Sequence, residues 1–301
     1  MTRQEKGFRP IGVADASGLS AAEAIQYHYD NDTAFFSIWL DPTLSYSSAR
    51  WQAPHGKGRV AASLAEAQKA KIDFHLDAMQ LPEKPRILDV GCGWGAVLET
   101  AVLERGASLA MGLTLSEDQF AHIRNRNVPH VEVLLEDFFA FETDIAFDGV
   151  VSIGAFEHFA RPSMSKAEKI AIYRLFFEAC HRVMPKGACL SLQTIVWDDM
   201  TFDESKKWIP QTVFPQSDIP FIDEIVTASA PTFRLEYLEN RPEDYALTLE
   251  AWITNLRAAR DEIVSRWDQA KFDFFEHYLR NSKLAFQRRK NSLARLTFRR
   301  R

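Results

Sequence analysis

Cysteine, glycine and long apolar runs are all scarce in this chain of 301 residues. Its three cysteines, Cys92, Cys180 and Cys189, are too few for a disulfide framework and follow no zinc-binding spacing, so no metal is expected. No apolar run approaches the roughly 18 residues of a membrane-spanning helix. The opening Met1-Thr2-Arg3-Gln4-Glu5-Lys6 leads into no signal-like stretch, and a cytoplasmic protein is the expectation. With 46% apolar and 26% charged residues, the composition excludes a disordered or fibrous chain.

Glycine and charge are both unevenly spread. Of only 13 glycines, three stand at Gly91, Gly93 and Gly95. The net charge of -5 conceals a basic end: residues 279–301 hold nine basic side chains and no acidic one, which leaves -14 on the remainder. An acidic body without a recognition motif argues against nucleic acid as a partner. Within the basic segment, Leu293-Ala294-Arg295-Leu296-Thr297-Phe298 reads as a strand, and the expectation is a solvated edge with its charges turned outward. A membrane or carrier-protein contact through this segment is the competing reading.

Along the chain, residues 20–40 have roughly helical apolar spacing broken at Asp30-Asn31-Asp32, and 59–79 read as a helix ended by Leu81-Pro82-Glu83-Lys84-Pro85. Strand and helix then alternate, with strands at 86–90, 108–113, 131–135, 147–153 and 188–196 and helices at 96–105, 116–125 and 166–184. Such alternation predicts an α/β fold, a parallel sheet with helices on both faces and ligands beyond the carboxyl ends of its strands. No repeat or low-complexity linker divides it.

Ile87-Leu88-Asp89-Val90-Gly91-Cys92-Gly93-Trp94-Gly95 carries a buried strand straight into three alternate glycines ahead of a helix. Glycine permits positive φ and lets backbone approach a ligand with no Cβ between. In the dinucleotide fingerprint the third glycine comes one residue later, so this spacing favours a nucleoside ligand over a pyrophosphate one. A merely structural tight turn is the alternative.

Asp-x-Gly-x-Gly-x-Gly after the first strand resembles the class I S-adenosylmethionine-dependent methyltransferases. Their usual acidic residue after the second strand is replaced by Gly112-Leu113-Thr114-Leu115-Ser116, with Gln119 beyond. Tyr29-Asp30, Phe35-Phe36, Leu40-Asp41-Pro42-Thr43, Tyr46-Ser47-Ser48-Ala49, Val151-Ser152-Ile153-Gly154-Ala155-Phe156-Glu157-His158-Phe159 and Gln193-Thr194-Ile195 complete the pattern. Together they are similar to the cyclopropane-fatty-acid synthase and mycolic acid cyclopropane synthase family, from about residue 27 to the C-terminus. The resemblance implies a Rossmann-like seven-stranded sheet within 81–301, an N-terminal helical extension, 1–80, covering the active site, and a substrate lid at 197–232. It implies S-adenosyl-L-methionine as cofactor, contacted by Tyr46, Ser47, Gly91, Gly93, Thr114 and Gln119, with Asp137-Phe138 at the adenine. Asp89 and Gly95 belong to the same turn, and Tyr29 and Tyr46 offer aromatic faces to the cationic sulfonium.

In the lipid cyclopropane synthases a bicarbonate ion serves as base. Matched position by position, its ligands become Ser48, Glu157, Ile153, Tyr245 and Gln193, where the family has cysteine, glutamate, isoleucine, tyrosine and histidine. Gln193 cannot titrate. Either it still donates a hydrogen bond to a bound anion, or bicarbonate has been abandoned and Glu157 acts directly. His158 reads as hydrogen-bonded support. The aromatics Trp197, Trp208, Phe214, Phe221, Tyr245 and Trp252 suit an apolar acceptor or a packed core. Gln216-Ser217 after Phe214-Pro215, and the inserted 161–168, turn the expectation from phospholipid or mycolate toward a smaller acceptor. The reading is methyl transfer to a carbon, an alkene, of a small apolar or lipid-like molecule, giving a methyl branch or cyclopropane. N-methylation of a small amine and a non-catalytic cofactor-binding protein are the alternatives.

Overall fold

The computed structural model describes residues 33–53, 58–207 and 217–301. β1 (Arg86–Val90), β2 (Leu109–Thr114), β3 (Val131–Leu135), β4 (Gly149–Ile153), β5 (Cys189–Trp197), β6 (Phe233–Asn240) and β7 (Asn291–Arg300) form one sheet in the order β3-β2-β1-β4-β5-β7-β6. The first five run parallel, and β7 is antiparallel to both its neighbours. β1 and β4 are buried almost throughout, which is why they read as nearly continuous apolar runs. Strand order reverses between them, so a crevice opens beyond their carboxyl ends. There Gly91 (φ 79°) and Gly154 (φ 74°) turn the chain. A Cβ on Gly91 would lie 2.5 Å from that of Ala155, so glycine alone lets the two turns meet.

Three groups of helices surround the sheet. α1 (Thr33–Trp39) belongs to a cover, while α2 (Leu64–Ala78), α3 (Ala96–Leu103) and α4 (Glu117–Arg126) pack one face through Ile72, Leu76, Leu98 and Ile123. α5 (Lys166–Val183) packs the other face through Phe176 and Phe177, and past α6 (Phe202–Lys207), α7 (Ile222–Ser229) joins it through Ile225. α8 (Pro242–Ala258), α9 (Arg260–Arg266) and α10 (Gln269–Gln287) complete the cover with α1. Its aromatic core reaches Trp94 of the glycine turn and Ile195 near the end of β5. Ser63, Ser116 and Ser165 cap α2, α4 and α5, the last in a reciprocal box with Glu168 that uses part of the inserted segment. Among the described residues no helix is long and apolar enough to cross a membrane.

β7 is not the solvated edge strand that its charges suggested. It lies between β5 and β6, leaving β6 at the edge, and Arg295 at its centre is fully buried. Acidic partners make that burial tolerable: Arg295 pairs with Asp244 at 2.7 Å, and Arg299 with Glu236 at 2.8 Å. Arg280, Lys283 and Arg289 likewise meet Glu276, Glu250 and Asp198. Part of the acidic excess of the body is thus the counterpart of the basic segment.

Candidate active site

A cavity of about 380 Å³ occupies the crevice. Gly91 and Gly93 line it from the turn after β1, and nothing lies within 4 Å of where a Gly93 Cβ would stand. Thr114 and Gln119 line it from the end of β2 and the start of α4, held together by a bond from Thr114 Oγ1 to Gln119 Oε1 at 2.7 Å. Asp137 and Phe138 follow β3, with Asp137 Oδ1 accepting the Phe139 N–H at 2.9 Å. Tyr46 and Ser47 come from the strap formed by residues 41–53.

Asp89, near the end of β1, also lines the cavity. Its Oδ1 is buried with no hydrogen-bond partner among the described residues, and burial pushes the carboxyl up to about 7 against the pull of Lys71. Gly95 does not line the cavity. With φ 89° it is the left-handed N-cap of α3, packed so that a Cβ would meet Ile123 at 2.9 Å. Tyr29 lies outside the described residues. Bare glycine backbone, a carboxylate oxygen awaiting a donor and aromatic faces at Tyr46 and Phe138 fit a nucleoside that carries a charged amino-acid end, as S-adenosylmethionine does.

Glu157 sits on the short 3-10 turn Phe156–His158 that follows Gly154. It is 6% exposed; Oε1 accepts the Ile195 N–H at 2.7 Å, while Oε2 is buried without a well-formed hydrogen bond. Burial pushes this carboxyl up to about 7, with the Ile195 amide and the neighbouring Thr194 hydroxyl pulling the other way. Ile153, at the end of β4, lines the cavity and neighbours Gln193 on β5. Tyr245, on α8, packs on Phe286 with ring centroids 4.4 Å apart, in the apolar cluster that also holds Tyr46, Trp252 and Ile195. Ile195 therefore links the two, its backbone on Glu157 and its side chain in the cluster of Tyr245.

Gln193 and Ser48 meet in a different arrangement. Gln193 Nε2 donates to the Ser48 carbonyl at 3.1 Å, and its Oε1 accepts from Arg295 Nε at 2.8 Å, with His75 Nε2 3.4 Å away. Arg295 also donates to the Ala49 carbonyl, Asp244 accepts the Trp51 N–H, and Arg50 pairs with Glu239 at 2.7 Å. This buried network fixes the strap over residues 48–51. Burial holds His75 well below the usual imidazole range, and the Arg295 and Lys71 cations add to the effect.

Lys71, His75, Arg295 and Asp244 escape a reading of the sequence, although α2 carries a signal. Its buried stripe is Gln68, Lys71, Ile72, His75 and Leu76, so polar groups occupy helical positions that ordinarily hold apolar ones. His158 lines the cavity and is hydrogen-bonded as expected: Nδ1 lies 2.7 Å from Ser217 Oγ, and burial pushes the ring down to about 4, so it stays neutral. Within 197–232, the Trp197 indole N–H donates to Asp218 Oδ1 at 3.3 Å. Trp208, Phe214 and Gln216 lie outside the described residues.

Known proteins share this architecture. Residues 17–296 match the sequence profile of the family described as mycolic acid cyclopropane synthetase. Cyclopropane mycolic acid synthase 2 of Mycobacterium bovis is 31% identical over 293 residues, covering 91% of this chain and 93% of that protein. The cyclopropane synthase MmaA2 from Mycobacterium tuberculosis superposes with a TM-score of 0.80 at 28% identity, covering 94% of this chain and 99% of the other. Mycolic acid cyclopropane synthase CmaA1, solved with SAH and CTAB, gives 0.79 at 30% identity, covering 92% and 98%. A glycine-lined cavity at the switch point of a seven-stranded sheet and a family match across nearly the whole chain lead to one conclusion: the chain belongs to the mycolic acid cyclopropane synthetase family and is an S-adenosylmethionine-dependent methyltransferase of the class I fold.

Proposed function

We propose that this methyltransferase alkylates a carbon–carbon double bond in a lipid-like acceptor, giving a cyclopropane or a methyl branch, with Glu157 itself as the base. The observation that carries this reading is the asymmetry of the Glu157 carboxylate. One oxygen is fixed by the Ile195 amide, while the other is buried beside the Thr194 hydroxyl without a well-formed hydrogen bond, on a turn whose Ala155 and His158 line the cofactor cavity. When bound, the cofactor supplies an electrophilic methyl group. The alkylated alkene is a carbocation, and it reaches a stable product by losing a proton from the new methyl group, closing a ring, or from a neighbouring carbon, leaving a methyl branch. Glu157 lowers the energy of the cation and accepts that proton at Oε2. Tyr46 lines the cavity and is backed by Trp252 and Tyr245 in the buried aromatic cluster, so its ring offers an apolar face that tolerates a cation beside it. The kinship with cyclopropane mycolic acid synthases supports a lipid-like acceptor.

Bicarbonate is not required in this reading. The Gln193 amide donates to the Ser48 carbonyl and accepts from Arg295, so it serves to hold the strap instead of an anion. Glu157→Gln should bind S-adenosylhomocysteine nearly as wild type in calorimetry, yet transfer labelled methyl groups to a lipid extract at least ~100-fold more slowly. Wild-type activity should survive removal of carbonate from the buffer. A dependence on carbonate would restore the ion as base, and product NMR showing methyl on nitrogen would overturn the carbon acceptor.

A further inference from the structure

The cofactor cavity contains a buried cation with no role in the chemistry above. Lys71, on α2, lines the cavity and is 2% exposed. Its Nζ donates a hydrogen bond to Ser47 Oγ at 3.0 Å, and among the described residues no carboxylate comes within ion-pair distance. An ammonium has three donors, and burying it without an anion is costly. Asp41 is close enough to be felt, but its oxygens already accept from Thr43 and Ser45. Asp89 is the mirror case, a buried carboxylate on the same cavity with an oxygen that no group among the described residues satisfies. Two opposite charges therefore line one cavity without pairing with each other. A zwitterion completes both.

We infer that Lys71 is the receptor for the α-carboxylate at the amino-acid end of the cofactor, with Asp89 across the cavity as the counterpart for its α-ammonium. Because Lys71 also holds Ser47, the carboxylate site and the strap share one ammonium. The inference concerns the cofactor alone and holds whatever acceptor is alkylated.

Calorimetry on the full chain with S-adenosylmethionine and its decarboxylated analogue tests it, since the two share sulfonium and ammonium and differ in the carboxylate. Wild type should prefer S-adenosylmethionine by roughly 10- to 100-fold, the range of a charge-assisted hydrogen bond. In Lys71→Met that preference should fall to within about 3-fold through loss of affinity for the carboxylate ligand alone, and Lys71→Arg should keep most of it. If Lys71→Met does not fold, Lys71→Gln takes its place with the same expectation. A wild type indifferent to the carboxylate overturns the inference without any variant. Equal weakening of both ligands in Lys71→Met also overturns it, because a displaced strap would do that.

Discussion

A carboxyl group pushed up to about 7 changes charge in the range where most enzymes work, and Glu157 is such a group. As a base it must be ionised, so kcat/KM should rise with pH through an apparent pKa near 7, and Glu157→Gln should abolish the rise along with most of the rate. The same shift bears on stability. The folded state holds the proton more tightly than the unfolded chain, whose carboxyl titrates near 4.5, so the contribution is complete below that pH and is lost as pH climbs through about 7. Glu157→Gln, neutral throughout, should therefore gain on wild type between about pH 5 and about pH 8.5, by on the order of 3 kcal/mol at most. Asp89 titrates in the same window but is common to both proteins and cancels. Urea unfolding of the two at both pH values reads the difference, and a constant gap would remove burial as its cause. Glu157 was legible because it stands in a contiguous motif. Lys71 was not, because its meaning comes from a cavity wall shared with Ser47 and Asp89, both distant in sequence.

At the level of elements, β1 to β5 and their helices follow the sequence pattern to within a residue or two. Strands buried on both faces cannot hide their apolar character. β7 is legible as a strand but its interior place is not, and α8 is obscured for the same reason: each buries polar groups that are satisfied by residues far along the chain. α8 buries Asp244 and Thr248 beside Leu249, Trp252 and Ile253, which interrupts its helical stripe. In β7, Arg295 looks like a surface charge, because its partners Asp244, Gln193 and the Ala49 carbonyl are 51, 102 and 246 residues away. Removing one member of such a network leaves an uncompensated buried charge. Arg295→Met should therefore destabilise the fold by about 3–5 kcal/mol in chemical denaturation, far above the ~0–1 kcal/mol expected for Lys283→Met, whose partner Glu250 is exposed. Adding Asp244→Leu to Arg295→Met should recover part of the loss. Similar losses from Lys283→Met and Arg295→Met would show that the buried network has no special weight.

Across the molecule, segments from before β1 and from between β6 and β7 close over the sheet together. α1 packs Phe35 on Phe275 of α10 at 4.7 Å between centroids, and Asn255 of α8 donates to the Trp39 carbonyl at 3.0 Å. The strap is bound the same way, with the Ala49 N–H and the Trp51 indole both donating to Thr248 Oγ1 at 3.0 Å. α2, also within the first 80 residues, packs directly on the sheet through Ile72 and Leu76. A separable N-terminal unit would have few contacts crossing its boundary, and here they are buried and numerous. Heating should therefore give one calorimetric transition, with van't Hoff and calorimetric enthalpies equal, although the chain is longer than most that behave so. S-adenosylhomocysteine at about 100 times its Kd should stabilise that transition as a unit by about 2.7 kcal/mol, since the strap, the glycine turn and the cover all bear on one cavity. Two resolved transitions, with only the first moved by the ligand, would mean that the cover melts on its own and that the active site is assembled from a body and a detachable cap.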